Sequence, residues 1–271
     1  MCHAFKVTTS GYYKWRKTSP SKREMENMKL LERIREIHEE SDQTYGSPRI
    51  TDDLIDEGLK VSRPRVARLM RKHDIRAKTK RKFKSTTDSD HSYPVAPNLL
   101  NQDFTANFFG EIWASDITYI HIGEGWLYLT VIMDLYNREI VGWSMSESLK
   151  ASRTTIPALR GAYIRFRPSP GLIFHSDRGV QYACNDFKEQ LEKHQMIQSM
   201  SGTGNCYDNA VVESFFSTLK KDRVYHQKYK TCYQARQSIF QYIETFYNRK
   251  RKHSTLGYLS PVQFRQLKKV A

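Results

Sequence analysis

Near the start of the chain, apolar residues recur at helical spacing at Met28, Leu31, Ile34 and Ile37, with charges between them. That is the pattern of an amphipathic helix. Ser47-Pro48 then reads as an N-cap followed by a first-turn proline. Ile50, Leu54 and Ile55 supply the buried stripe, and Gly58 the C-cap. Ser62, with Pro64 in the first turn, opens another helix whose stripe is Val66, Leu69 and Met70. Two short helices joined across Gly58-Leu59-Lys60-Val61 predict a helix-turn-helix. The second helix of such a motif enters the major groove of DNA. Arg65, Arg68 and Lys72 lie off its apolar stripe, on the face that would meet DNA. The competing reading is a small helical bundle with a solvated basic face.

Periodicity stops at residues 76–102, where Ser, Thr, Asp and Pro cluster and the chain reads as a basic linker. Lys80, Arg81 and Lys82 within it suit a segment that tracks phosphates without sequence preference. Beyond it the period changes to that of strands. Residues 112–120, 126–134 and 139–146 are rich in β-branched and aromatic residues. They are separated by short turns at 123–125 and at Asn137-Arg138, which predicts an antiparallel meander. A helix follows at 154–166, a short strand at 172–177, a helix marked by Phe187, Leu191 and His194, and a strand at 196–200. Further helices are expected at 208–222 and 235–248. The order β-β-β-α-β-α-β-α predicts a mixed sheet with flanking helices. The division expected is a helical region at 1–75, a linker at 76–102 and an α/β region at 103–271.

Charge sharpens this picture. The 271 residues carry 44 Lys+Arg against 29 Asp+Glu, a net charge of +15. A chain this basic points to a polyanionic partner, usually nucleic acid. The charge is uneven: residues 60–84 hold 12 Lys/Arg and one Asp, residues 101–150 hold 2 Lys/Arg and 7 Asp/Glu, and residues 214–271 hold 13 Lys/Arg and 2 Asp/Glu. An acidic stretch between two basic ends suits metal-dependent chemistry on nucleic acid, which needs cations for the backbone and carboxylates for the metal. The four cysteines, Cys2, Cys184, Cys206 and Cys232, form no C-x-x-C pair and read as reduced thiols, not as a zinc site or a disulfide framework. No stretch approaches the ~18 consecutive apolar residues of a membrane span, and the N-terminus has no apolar signal core. A cytoplasmic, nucleoid-associated location is expected.

Three carboxylates stand out. Asp116 lies within an apolar strand, Asp177 ends another, and Glu213 sits in a helical stretch between Ala210-Val211-Val212 and Phe215-Phe216. Carboxylates in apolar surroundings are costly unless paired or metal-bound. If the first and fourth strands are neighbours, Asp116 and Asp177 lie side by side, and like charges that close repel unless a cation neutralises them. Oxygen ligands without His/Cys spacing point to Mg²⁺ or Mn²⁺. Two such ions would activate a nucleophile and stabilise a leaving oxygen in phosphoryl transfer. The competing reading makes these residues helix caps and surface acids.

Asp177 and Glu213 are separated by 35 residues. This is similar to the DD(35)E signature of retroviral integrases and related bacterial insertion-sequence transposases. The words WASDITY at 113–119, HSDRGVQY at 175–182, CYDNAVVESFFSTLK at 206–220 and YNRKRKHSTLGYLSP at 247–261 carry the resemblance further. Across essentially the whole chain it resembles the catalytic second-frame product of the insertion-sequence class expressed by programmed frameshifting. The resemblance implies a ribonuclease-H-like catalytic core from about residue 103, preceded by the all-α helix-turn-helix region. It implies Asp116, Asp177 and Glu213 as catalytic metal ligands. Asn209, four residues before Glu213, would share its helix face. Lys220, two turns beyond, would hold a phosphate near the metals. Asp208 reads as an N-cap, and His175, Gln181 and Tyr182 as residues that shape the site or touch DNA. Arg249, Lys250, Arg251 and Lys252 would deliver cations towards the same place.

The reading that follows is a DNA transposase that cuts transposon ends and joins them to target DNA, acting as a homo-oligomer on DNA. The upstream-frame product, or a fusion to it, is a further expected partner; no membrane is. Two rival readings compete with it. One is a helix-turn-helix regulator whose α/β part binds a small effector. The other is a ribonuclease-H-like nuclease without strand joining.

Overall fold

The computed structural model describes residue 2 and residues 7–17, 19–78, 93–202 and 208–270, the side chains of the last two excepted. It divides into two compact units, residues 1–77 and 78–271.

The first unit holds α1 (Thr9–Lys17), α2 (Lys22–Glu40), α3 (Ser47–Asp56) and α4 (Arg63–Lys72). A capping box starts α2: the Glu24 N–H donates to Ser21 Oγ at 3.2 Å, and the Ser21 N–H to Glu24 Oε2 at 2.7 Å. Such a cap satisfies two donors that the first turn leaves orphaned. The buried stripe of α2 is Leu30, Leu31, Ile34, Ile37 and His38; Met28 is exposed, so the stripe is rotated from the expected one. Ile50 and Leu54 of α3 are fully buried, whereas Ile55 faces solvent. Gly46, not Ser47, is the N-cap of α3, and Ser47-Pro48 are its first helical residues. Gly58 follows the helix with φ 84°, a left-handed stop that favours glycine. Val66, Leu69 and Met70 of α4 are buried as expected.

In the second unit, β1 (Ile112–Ile122), β2 (Gly125–Asp134) and β3 (Ile140–Ser146) form the meander. Then come α5 (Thr155–Phe166), β4 (Ile173–Ser176), α6 (Val180–Ala183), α7 (Asn185–Lys193) and β5 (Ile197–Met200). The chain ends with α8 (Ala210–Asp222), α9 (Cys232–Gln241), its π-helical continuation Tyr242–Tyr247, and α10 (Pro261–Val270). The sheet order is β3-β2-β1-β4-β5. The β1–β2 and β2–β3 pairs are antiparallel, and β1–β4 and β4–β5 are parallel.

Trp113, Ile132, Val141, Leu159, Phe174, Tyr182, Phe187 and Leu191 are buried in one core cluster that joins the sheet to α5, α6 and α7. Helix α5 approaches β3 so closely that a Cβ on Gly142 would lie 2.6 Å from the Ala158 carbonyl oxygen. Helix α8 packs on β1 and buries Val212, Phe215, Phe216 and Leu219. No helix among the described residues is long and apolar enough to cross a membrane.

Several elements depart from the sequence expectation, among them α1 and α6, which it does not contain. Residues 93–102, expected as linker, are bonded to the α/β unit: the Met200 N–H donates to the Pro97 carbonyl, the Leu99 N–H to Ser199 Oγ, and Lys188 Nζ to the Pro94 carbonyl. Helix α10 has no counterpart among the expected elements; its Arg265 pairs with the buried Glu139 at 2.7 Å and lies over the Phe109 and Phe166 rings.

Candidate active site

The parallel register between β1 and β4 aligns Trp113 with Phe174, Ala114 with His175 and Ser115 with Ser176. The next residue in each case is an acid, Asp116 within β1 and Asp177 just past the end of β4. Both are partly buried. Burial raises the Asp116 carboxyl well above the ordinary carboxylate range, and the Asp177 charge raises it further. The Ile117 N–H, 2.7 Å from Asp116 Oδ1, and the Lys220 ammonium oppose the shift, while Glu213 adds to it. Glu213 stands on the first turn of α8, exposed at its surface. Its carboxyl is also raised, by burial and then by Asp177. The three acids therefore feel one another across a single site.

Asp177 Oδ1 accepts the Gly179 N–H at 3.0 Å. A Cβ on Gly179 would sit 3.0 Å from that oxygen, so a side chain there would press on the carboxylate. Beneath the pair, Ser115 Oγ donates to the Val131 carbonyl at 2.8 Å and therefore accepts from the Tyr182 hydroxyl, also at 2.8 Å. Burial pushes the Tyr182 phenol well up, and Asp116 and Asp177 push it further, so it stays protonated. Asn209 Nδ2 donates to the Ser115 carbonyl at 3.2 Å, tying the start of α8 to β1. Its Oδ1 is buried without a partner among the described residues. Asn209 is thus an anchor and the N-cap residue of α8, not a second residue on Glu213's exposed face.

Asp208 is not the N-cap. Its Oδ2 accepts from Asn98 Nδ2 at 2.9 Å and from the Gly202 N–H at 2.6 Å. Its carbonyl meets His175 Nε2 at 2.9 Å, and His175 Nδ1 lies 2.9 Å from Ser199 Oγ. Burial lowers the His175 pKa, so the ring is neutral. A carbonyl can only accept, which assigns the proton to Nε2. His175 thus clamps β4, β5 and the approach to α8 together.

Lys220 lies within electrostatic reach of Asp116, and burial lowers its pKa while Asp116 opposes that shift. An oxygen-only donor set in which burial and the Asp177 charge raise both Asp116 and Glu213 suits a hard divalent cation. Among the described residues, no three His, Cys, Asp or Glu side chains close into a ready cage. Cys2, Cys184 and Cys232 are unpaired thiols.

Family models match this architecture in order. An HTH-like domain matches residues 25–83, and an integrase core domain matches residues 109–206 and 213–268. The chain is 44% identical over 266 residues to the insertion element IS600 uncharacterized 31 kDa protein of Shigella sonnei, covering 98% of this chain and 97% of that protein. It is 41% identical to the transposase InsF for insertion sequence IS3A of Escherichia coli K12, covering 97% of this chain and 92% of that protein. The chain belongs to the family of IS3-type insertion-sequence transposases. Its fold is also that of a chain in the simian T-cell lymphotropic virus intasome in complex with the PP2A regulatory subunit B56 gamma, with a TM-score of 0.51 at 14% identity over 86% of this chain and 74% of that one.

The basic residues of this transposase sort less simply than their spacing suggests. Arg68 and Lys72 are exposed on α4. Arg65 is turned to α2 instead, with Nε 3.0 Å from Asn27 Oδ1 and Nη2 3.2 Å from Glu26 Oε2. Arg249 and Lys250 are exposed, but Arg251 is buried against Asp222 at 3.0 Å, and Lys252 is buried too. These two are structural, which corrects the expectation that the whole run faces DNA. Lys80, Arg81 and Lys82 lie outside the described residues. Ser115 and Tyr119 also stand near the acids, and sequence reasoning misses both. A small polar residue inside an apolar strand is the one available signal for Ser115.

Proposed function

We propose that Asp116, Asp177 and Glu213 form the catalytic centre of DNA transposition and hold Mg²⁺ or Mn²⁺. The observation that carries this is the β1–β4 register, which sets Asp116 on β1 beside Asp177 just past the end of β4, together with the elevation of Asp116 and Glu213 by burial and by the Asp177 charge. In the first step, water attacks the phosphorus at a transposon end; a new P–O bond forms, the bond to the 3′-oxygen breaks, and a free 3′-hydroxyl remains. In the second, that hydroxyl attacks a target phosphodiester, displacing one strand of the target and losing its proton. Neither step needs a covalent protein–DNA bond. When bound, divalent cations supply charge neutralisation for the attacking and leaving oxygens. The chain's own part is to bind the cations through the three carboxylates, to hold Glu213 at its place through the Asn209–Ser115 bond, and to offer Lys220 to a phosphate. Arg68, Lys72, Arg249 and Lys250 engage the DNA backbone, and the protein acts as an oligomer because two ends must meet.

Asp177→Ala should lower Mg²⁺-dependent cleavage of labelled ends by ~100-fold or more, the equivalent of ~3 kcal/mol of transition-state stabilisation, and leave DNA binding largely intact. Substantial Mg²⁺-dependent cleavage by that variant would overturn the assignment. A strand-transfer assay with the same labelled ends separates transposition from simple nuclease action.

A further inference from the structure

The β1–β2 hairpin carries four aromatic rings that the catalytic reading does not use. Tyr119 pairs with Tyr128 and His121 with Trp126 as direct cross-strand partners. Ring centroids are 5.9 Å apart for Tyr119–Tyr128, 6.4 Å for Tyr119–Trp126 and 5.1 Å for His121–Trp126, all edge to face. The ladder is contiguous, and it is open to solvent. Trp126 is 52% exposed, His121 is exposed, and Tyr119 and Tyr128 are partly so. Cross-strand aromatic pairs stabilise a hairpin, but that role does not require the largest ring to be left in water. Scattered exposed apolar residues are ordinary on a protein surface; a contiguous set of rings marks a binding surface.

Two further observations say what would lie on it. Tyr119 follows Asp116 by three residues on β1, which places its ring on the other face of the strand, and its phenol is raised by burial and then by the charges of Asp116 and Asp177. The other end of the ladder, the hairpin turn, is pinned to the segment before α9. The Gly123 N–H donates to the Tyr229 carbonyl at 2.8 Å, and a Cβ on Gly123 would lie 2.6 Å from the Lys230 carbonyl oxygen. This brings the exposed Lys230, with Lys228 two residues earlier, beside the tip. Rings in a row with flanking ammonium groups, on the strand that also carries Asp116, match the chemistry of single-strand binding. Such sites combine stacking platforms for bases with cations for the backbone, and stacking tolerates any base because every base has a π-face.

We propose that the Tyr119–Tyr128–Trp126–His121 ladder is a subsite for unpaired DNA, on which bases freed from the duplex next to the scissile phosphate stack. The inference rests on the transposase reading and extends it. A DNA end held this way is presented to Asp116 and Asp177 with its terminal bases splayed, while the backbone meets Lys228 and Lys230.

The test compares two probes with the full chain in Ca²⁺: a blunt DNA duplex, and the same duplex with mismatched terminal bases and a fluorescent aminopurine in the unpaired end. The wild-type chain should prefer the mismatched end and quench the aminopurine. The Trp126→Ala/Tyr128→Ala double variant should bind the mismatched end about ten-fold or more weakly for each base that no longer stacks, while its affinity for the blunt duplex is unchanged. Trp126→Phe, which keeps a ring, should retain most of the preference and exclude a folding defect as the cause. Equal affinity of wild type and double variant for the mismatched end would overturn the inference. So would equal losses on both probes, or a changed oligomeric state with the preference intact, which would assign the ladder to a protein contact. If the wild-type chain binds neither DNA, the transposase reading itself fails and takes the subsite with it.

Discussion

At the scale of single residues, the α/β unit keeps several acids in places that disfavour their charge. Asp134, at the end of β2, is fully buried and accepts three N–H groups: Gly110 N at 2.7 Å and Trp113 Nε1 at 3.1 Å on Oδ2, and Tyr136 N at 2.9 Å on Oδ1. Burial pushes its carboxyl up to about 7 despite those donors. In the unfolded chain it loses its proton near the ordinary value of 3.8. Between these values the folded state binds more protons than the unfolded one, so stability is greatest at the acid end and declines as pH rises to about 7. The slope from this group is at most ~1.4 kcal/mol per pH unit. Urea midpoints measured across that window should show the decline in wild type and lose that component in Asp134→Asn. The variant should also be destabilised by about 1–3 kcal/mol, because its amide nitrogen faces an N–H that needs an acceptor. A wild-type slope that survives in Asp134→Asn would place the titration elsewhere.

At the scale of elements, basic residues divide by the face of the helix they occupy. On α4, Arg68 and Lys72 point to solvent while Arg65 reaches α2. Neutralising Arg68 and Lys72 to Gln should weaken DNA binding and reduce the slope of log K against log salt by about 0.9 for each phosphate left unneutralised. Arg65→Gln should instead cost roughly 0.5–1 kcal/mol of stability, as expected for a partly exposed pair, and leave the slope nearly unchanged. Titrations at several salt concentrations check both; equal slope changes would mean Arg65 leaves Glu26 to meet DNA. The C-terminal run behaves in the same way. Arg251 is sealed against Asp222, whose other partner is the Tyr242 hydroxyl at 2.9 Å. Arg251→Met leaves Asp222 as an uncompensated buried charge, and a loss of about 3–5 kcal/mol is expected in chemical denaturation. Arg249→Gln and Lys250→Gln should be close to neutral in the same measurement.

At the scale of the whole molecule, the proposed triad would engage one scissile phosphate at a time, whereas transposition must bring two ends together. One protomer's α4 is therefore expected to hold the end that another protomer cuts. Mixing an Asp116→Ala chain with a chain carrying Arg68→Gln and Lys72→Gln tests this directly. Strand transfer should reappear in the mixture although each protein alone is inactive. Continued inactivity, with both proteins present in the same DNA complex, would show that each protomer binds and cuts in cis.

Local pattern is enough to determine most of the elements and to single out the three candidate acids. Strand alternation, Pro and Gly punctuation and the stripes at Ile50–Leu54 and Val66–Met70 are properties of short windows, and they yield the helix-turn-helix and the meander directly. Asp116 and Asp177 are legible because a carboxylate inside an apolar strand is costly unless something compensates it. Tertiary structure alone decides the rest. Which cations are free cannot be read from spacing, because Arg65, Arg251 and Lys252 are removed from solvent by partners or burial contributed by distant elements. Residues 93–102 have a linker's composition, yet they dock because Pro97 and Leu99 find β5, a hundred or more residues away. Asn209 takes the N-cap position expected of Asp208, and Asp208 turns elsewhere, because His175, Asn98 and Ser115, all remote in sequence, supply their partners. The aromatic ladder likewise exists only in the antiparallel register, which sets Tyr119 opposite Tyr128 and His121 opposite Trp126.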